Sequence, residues 1–252
     1  MSAELIEINC EKAVDYLTEW IADKVTSAGK SGGILGLSGG LDSAVTAALV
    51  KRACGEESLG VIMPCHSSSE DRQDALLAAR EIGIECQEIL LDEVFDILRG
   101  KLKQLVPGED SLAAANIKPR LRMTVLYYLA ARKDYLVVGT DNWSELTVGY
   151  FTKYGDGGID IAPLGRLVKT EVREVAHYLG LPDKIINRQP SAGLWEGQSD
   201  EREMGLSYAE LDSYILGKGL PADLEKKILE MQKNNRHKLE PPPVPARENL
   251  TS

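Results

Sequence analysis

Within six residues, Ser38-Gly39-Gly40-Leu41-Asp42-Ser43 offers two hydroxyls, two glycines and one carboxylate. The apolar run "GGILGL" leads in and the alanine-rich "AVTAALV" follows, so this turn joins a strand to a helix. Glycines tolerate positive φ and let a ligand approach the backbone closely. Their N–H groups, with the helix N-terminus, form an anion site. Ser38 and Ser43 add hydroxyls, enough for a pyrophosphate. Asp42 beside a bound anion repels it unless a cation lies between them. It is therefore read as a ligand of Mg²⁺ that bridges to phosphate oxygens. The plainer alternative is that Asp42 only caps the helix. The stretch is neither a G-x-x-x-x-G-K-[ST] loop nor a G-x-G-x-x-G fingerprint.

Two further stretches carry chemistry. "NIKPRLRM" (116–123) gathers Asn116, Lys118, Arg120 and Arg122. Arginines in a first helical turn oppose the macrodipole, so they are either solvated or facing an anion. "GTDNWSELTVGYFTKYGDGGIDIAPLGRLVKT" (139–170) follows the strand-like "YLVVG", which starts Thr140 at the same sheet edge as Ser38. Glu145 can supply a second carboxylate to the Mg²⁺. The glycine-laced "KYGDGGID" carries Lys153, Asp156 and Asp160. Lys169 precedes Thr170, a residue suited to cap the next helix, and can reach a phosphate as a mobile charge.

The elements that must position these residues alternate. Residues 9–28 show helical spacing, with Val14, Leu17, Ile21 and Val25 on one face. Strand signals at "GILGLS", "SLGVIMP", "IECQEILL" and "YLVVG" alternate with helical ones at "DSAVTAALVKRAC", "SEDRQDALLAAREIG" and 92–105. Gly83 is a helix stop. A long helical region runs to Lys133, with an interruption expected at Pro119, a residue suited to the first turn of a helix. Helices at 170–180, "SYAELDSYILG" and "PADLEKKILEMQKNNRHKL" follow. This pattern predicts an α/β fold, a Rossmann-like parallel sheet with helices on both faces, plus C-terminal helices. One domain is expected over 1–252, with the proline-rich tail 241–252 extended.

The formal charge of −10 argues against nucleic acid or membrane surfaces as partners. No apolar run approaches the roughly 20 residues of a span, and "MSAELIEINC" reads as no signal peptide. The four cysteines, Cys10, Cys54, Cys65 and Cys86, form no C-x-x-C pair. They read as reduced thiols in a cytoplasmic protein.

S-G-G-x-D-S resembles the pyrophosphate loop of the N-type ATP pyrophosphatases. Together with N-x-x-x-R-x-R-M, G-T-D-N-x-S-E, F-T-K-Y-G-D-G-G and P-L-x-x-L-x-K, the chain resembles NAD⁺ synthetases over roughly residues 10–240. The resemblance implies adenylation of the deamido-NAD⁺ carboxylate by Mg-ATP, release of pyrophosphate, and amidation by ammonia. It assigns Ser38, Gly39, Gly40, Asp42 and Ser43 to pyrophosphate, and Asp42 and Glu145 to Mg²⁺. Arg120, Thr140, Lys169 and Ser191 match positions serving ATP. Asn116, Lys153, Asp160, His237 and Lys238 match positions around deamido-NAD⁺. Asp156 matches an aspartate near the ammonia end, and ammonium must lose a proton, which makes Asp156 the expected acceptor. Many relatives of this kind read G-T-D-H-A-A-E, so Asn142 is left without a role. His66 and His177 are read as structural or exposed.

The resemblance further implies a homodimer with the dinucleotide at the subunit interface. The motifs use nearly the whole chain, so free ammonia rather than a built-in glutaminase is expected as the nitrogen source. Residues 187–205 are expected to form a lid that excludes water from the adenylate. The rivals are another N-type ATP pyrophosphatase, such as a GMP synthetase-like enzyme, and a non-catalytic nucleotide-binding module.

Overall fold

The computed structural model describes residues 8–109, 111–191, 193–195, 197–247 and 250. Positions 192 and 196 of the expected lid, and 248, 249, 251 and 252 of the tail, lie outside them. The chain opens with α1 (Cys10–Ser27), β1 (Gly32–Gly36), α2 (Leu41–Cys54), β2 (Ser58–Ile62), α3 (Ser69–Ile82) and β3 (Glu85–Glu88). It continues through α4 (Asp92–Leu105), α5 (Ser111–Ala115), α6 (Ile117–Lys133), β4 (Tyr135–Val137), α7 (Trp143–Val148) and α8 (Lys169–Tyr178). Four helices close it: α9 (Asp183–Ile186), α10 (Asp200–Met204), α11 (Tyr208–Ile215) and α12 (Ala222–Leu239).

The sheet is parallel, with strand order β3-β2-β1-β4. Successive side chains on a strand point to opposite faces, and the two cores follow that rule. Leu35, Leu136 and Val138 pack with α1, α2 and α8, while Ile34, Tyr135 and Val137 pack with α4 and α6. Both faces of β1, β2 and β4 are thus covered, as their unbroken apolar runs require, while the edge strand β3, Glu-Cys-Gln-Glu, is largely exposed. A third cluster of Val148, Met204, Leu206, Tyr208, Leu211 and Ile228 joins α7 to the C-terminal helices. The order reverses direction between β1 and β4, so the crevice outside their carboxyl ends is the switch point of the sheet.

Two expectations change. The interruption before Lys133 falls at Asn116, and Pro119 lies in the first turn of α6. A first-turn N–H has no intrahelical acceptor, so proline loses nothing there. The helix after "RLV" starts at Lys169, one residue before the expected cap Thr170. Its first N–H groups find acceptors elsewhere: Lys169 N–H donates to Ser144 Oγ at 3.1 Å and Thr170 N–H to Asp212 Oδ2 at 2.8 Å. Gly83 ends α3 in the left-handed region at φ 72°, as expected.

Candidate active site

The turn after β1 is held by its own hydroxyls. Ser43 Oγ donates to the Gly40 carbonyl at 2.9 Å and lies 3.0 Å from Ser38 Oγ. Gly40 N–H donates to Ser38 Oγ at 3.2 Å. Gly40 is the N-cap of α2 and makes no side-chain cap, so the first-turn N–H groups stay available to an anion. Gly39 adopts φ +80°, and a Cβ there would come within 2.7 Å of the Asp71 carbonyl and 2.8 Å of Ala75 N. Gly39→Ala is therefore expected to destabilise the fold by about 1–3 kcal/mol and to raise the KM for ATP. Denaturant unfolding and initial rates check the two halves.

Asp42 sits in the first turn of α2 yet caps nothing. Its Oδ1 accepts from Asn142 Nδ2 at 3.0 Å, and its Oδ2 is ion-paired with Lys169 Nζ. Lys169 also donates to Glu145 Oε1 at 3.2 Å. One buried ammonium thus joins carboxylates from α2 and α7. Lys169 is 3% exposed, lies over the Tyr208 ring at 4.7 Å, and is fixed through its own backbone. The expectation of a mobile charge is corrected: this lysine is locked in place. Burial alone would pull its ammonium down, but Asp42 and Glu145 more than reverse that and raise it.

Asn142, left without a role above, is completely buried and organises this centre. Its Oδ1 accepts Glu145 N–H at 3.0 Å while Glu145 Oε2 accepts Asn142 N–H at 3.1 Å, a reciprocal cap on α7. The same amide orients Asp42. Tyr208 OH lies 3.1 Å from Glu145 Oε1 and 3.3 Å from Asp200 Oδ2. Asp141, 5% exposed, leaves its Oδ2 buried without a hydrogen-bond partner.

Carboxylates outnumber cations here. Burial lifts the Glu145 carboxyl to about 7, opposed by Lys169 and reinforced by Asp42. Burial likewise raises Asp141 well above the usual carboxylate range, and Asp156, Glu145 and Asp42 add to it. A folded Glu145 that titrates near 7 binds its proton more tightly than the unfolded chain does. Stability therefore falls as pH rises from about 4.5 to 7, where only the unfolded state has released that proton. Glu145→Gln, in EDTA, is expected to flatten this slope in thermal melts taken across that range.

A second wall comes from the loop after α7. Asn116 Oδ1 accepts from Thr152 Oγ1 at 2.8 Å, and Thr152 N–H donates to Asp156 Oδ1 at 2.9 Å. Asp156 opens onto the cavity but is surrounded by protein, and this desolvation raises its carboxyl. Lys238 reaches back from α12 to donate to the Gly149 and Phe151 carbonyls at 2.8 and 3.0 Å. The third wall is made by Arg188, Gln189, Pro190, Ser191, Gly193, Leu194 and Gln198. Arg188 donates to the Gly39 carbonyl at 3.2 Å and pairs with Asp71 and Asp74. Lys118 donates to the Leu194 carbonyl at 2.7 Å. The expected lid is thus tied to the Ser38–Ser43 turn and to α6, and its last residues form α10.

These walls enclose one cavity of about 670 Å³. Of the predicted residues, Ser38, Gly40, Asp42, Ser43, Asn116, Thr140, Glu145, Asp156, Lys169, Ser191 and Lys238 line it. Gly39 is buried behind the turn, against α3. Arg120, Lys153, Asp160 and His237 stand outside the cavity. Arg120 is exposed and donates to the Lys153 carbonyl at 3.3 Å, and Lys153 Nζ donates to the His237 carbonyl. Asp160 accepts from Val137 N–H at 2.8 Å and Tyr127 OH at 2.9 Å, a bracing role beside β4. Sequence reasoning missed Asn142, Arg188, Tyr208 and Asp141. The "GTDN" run carried a signal for two of them, while Arg188 and Tyr208 had none. His66 and His177 are both exposed, and His66 lies 2.9 Å from Asp96. All four cysteines are free.

The NAD synthase family model matches residues 13–242. The chain belongs to the NAD synthase family. It is 51% identical over 241 residues to an NH₃-dependent NAD⁺ synthetase of Carboxydothermus hydrogenoformans, covering 95% of this chain and 99% of the relative. It is 46% identical to the protein of that name from Archaeoglobus fulgidus, over 94% of this chain and 97% of the relative. Among solved structures, the NMN synthetase of Francisella tularensis superimposes with a TM-score of 0.90 at 34% identity, over 95% and 99% of the two chains. The NH₃-dependent NAD synthetase of Campylobacter jejuni gives 0.79 at 30% identity, over 95% and 100%. Family membership leaves no place for the non-catalytic module.

Proposed function

We propose that this NAD synthase family member amidates deamido-NAD⁺ with free ammonia, consuming ATP and releasing AMP and pyrophosphate. The observation that carries this reading is the convergence in one cavity of the Ser38–Ser43 turn, the Asp42–Lys169–Glu145 centre and Asp156. The curated relatives' names supply the substrates.

The chemistry divides between the walls. The turn and the first-turn N–H groups of α2 receive the β- and γ-phosphates. A carboxylate oxygen of the substrate attacks the α-phosphorus and the bond to pyrophosphate breaks, so a poor acceptor becomes an activated acyl group. Lys169 holds Asp42 and Glu145 in register and offsets charge in a dry site. Ammonium first gives a proton to the Asp156 carboxylate; the ammonia nitrogen then attacks the acyl carbon, the bond to AMP breaks, and the proton lost as the amide forms leaves to solvent. The lid wall, tied by Arg188 and Lys118, keeps water from the adenylate.

Mg²⁺ fits the same centre. Among the described residues no group of three or more His, Cys, Asp and Glu is arranged to hold a metal. Two carboxylates already sharing one cation, with the unpartnered Asp141 oxygen nearby, suit an ion that takes its other ligands from phosphates and water. Asp42 and Glu145 would hold it, and when bound it neutralises phosphate charge.

A homodimer belongs to the same proposal. Ile97, Leu105, Val106, Leu112 and Tyr128, on and around α4 to α6, are all more than half exposed, an apolar load that a second copy would cover. Arg120 lies on α6 as well, so a second copy there would bring it and Lys153 to a shared dinucleotide site. A cytoplasmic setting is supported by the four free cysteines, and no described helix is long and apolar enough to cross a membrane.

The Francisella likeness favours a second reading, amidation of nicotinate mononucleotide, which carries the same carboxylate. The test is incubation with Mg-ATP, ammonium and either deamido-NAD⁺ or nicotinate mononucleotide, with glutamine replacing ammonium in parallel. NAD⁺ and AMP in equal amounts from ammonium support the proposal. Product from the mononucleotide alone shifts it to the second reading, and ATP cleavage with neither points to another ATP pyrophosphatase.

A further inference from the structure

Three arginines line the cavity, and one of them lacks an anion. Arg72 is engaged by Glu88, with Nη2 donating at 2.7 Å, and Arg188 is engaged by Asp71 and Asp74. Arg122, on α6, forms no ion pair among the described residues. Its partners are neutral: Nε donates to the Met63 carbonyl at 3.1 Å and Nη2 to Ser67 Oγ at 3.4 Å. A guanidinium carries five N–H donors in a fixed fork, so among the described residues Nη1 and one edge of the fork are unclaimed.

A cation largely removed from water without a counter-charge is costly. Burial pulls the Arg122 pKa down, and the groups that oppose this, Cys65, Asp156 and Asp71, act only through space. Solvated arginines escape the cost, as Arg120 does on the outer side of the same helix. Arg122 instead stays inside, anchored along one edge to the segment after β2 and free along the other. That arrangement is preorganised for an oxyanion that arrives with a ligand.

We propose that Arg122 receives an oxyanion of the reacting substrates, a phosphoryl oxygen of ATP or the carboxylate of deamido-NAD⁺, through its free guanidinium edge. This rests on the synthetase reading above. It adds Arg122, inside the cavity, to the exposed Arg120 as a second residue of the R-x-R pair placed to meet substrate.

The experiment titrates wild type, Arg122→Gln and Arg122→Lys with Mg-ATP, deamido-NAD⁺ and NAD⁺ separately, alongside thermal melts and turnover. Losing one charged hydrogen bond is expected to weaken the recognised ligand about 10- to 100-fold. Arg122→Lys should not rescue it, because one ammonium cannot keep the Met63 anchor and reach the ligand. If the oxyanion is phosphoryl, the Kd for Mg-ATP rises and that for deamido-NAD⁺ does not. If it is the carboxylate, the Kd for deamido-NAD⁺ rises while that for NAD⁺, whose amide is neutral, stays. Unchanged affinities, or an equal loss for all three ligands with a lowered Tm, overturn the proposal. Should Arg122→Gln fail to fold, the same split read on Arg122→Lys decides. A wild type that makes no NAD⁺ counts against the synthetase reading instead.

Discussion

Lys169→Met is expected to lower the rate of NAD⁺ formation by roughly 100- to 1,000-fold. The reason lies in what remains after the ammonium is gone. Asp42 and Glu145, 17% and 13% exposed at their side chains, would face each other with no charge between them. Breaking a buried pair by removing one partner typically costs about 3–5 kcal/mol. Glu145, already lifted to about 7, would rise further and hold its proton at neutral pH. The register of the two carboxylates against the Ser38–Ser43 turn would be lost with it. A readout independent of activity follows. MgCl₂ should raise the Tm of Lys169→Met more than that of wild type, because only the variant leaves the space between Asp42 and Glu145 without a cation. A near-wild-type rate, or equal Tm shifts, would remove Lys169 from the centre of the reaction.

Asp156→Asn is expected to cost about 100- to 10,000-fold in the ammonium-dependent rate near neutral pH. Desolvation raises the Asp156 carboxyl, so its base form appears only above that raised value, and wild-type activity should fall as pH drops through it. Free ammonia needs no base, so the gap between variant and wild type should narrow as pH rises and ammonium gives way to ammonia. Asn keeps the acceptor for Thr152 N–H, so the loop tie to Asn116 survives and the change isolates the proton. Rates against pH at fixed total ammonium check this; parallel curves would leave Asp156 a loop anchor only.

Chemistry carried by contiguous residues was legible in the chain. The six residues Ser38 to Ser43 specify a strand-to-helix turn by local geometry alone, because glycine φ freedom, helix N–H groups and hydroxyl reach act within one turn. The alternation of apolar strands and amphipathic helices likewise determined a parallel sheet covered on both faces, since each pattern can bury its apolar side in few ways. The placement of Glu145 opposite Asp42 followed from the rule that strand carboxyl ends share an edge.

Tertiary structure alone decided which polar residue meets which. Asn142 and Asp42 are 100 positions apart, and Lys169 and Asp42 are 127 apart. No spacing rule spans such separations, so a buried amide looked idle and a locked lysine looked mobile. The same limit applies to Arg120 and Arg122. Two residues apart on a helix they face different ways, and only packing against the Met63–Ser67 segment turns one inward and leaves the other in solvent. Residue types and local spacing thus determined an anion-binding turn with a carboxylate beside it, and the likeness of the motifs to the NAD⁺ synthetases implied the reaction class. Burial, which sets each charge's partners and hence its strength, was decided only when distant segments closed around the cavity.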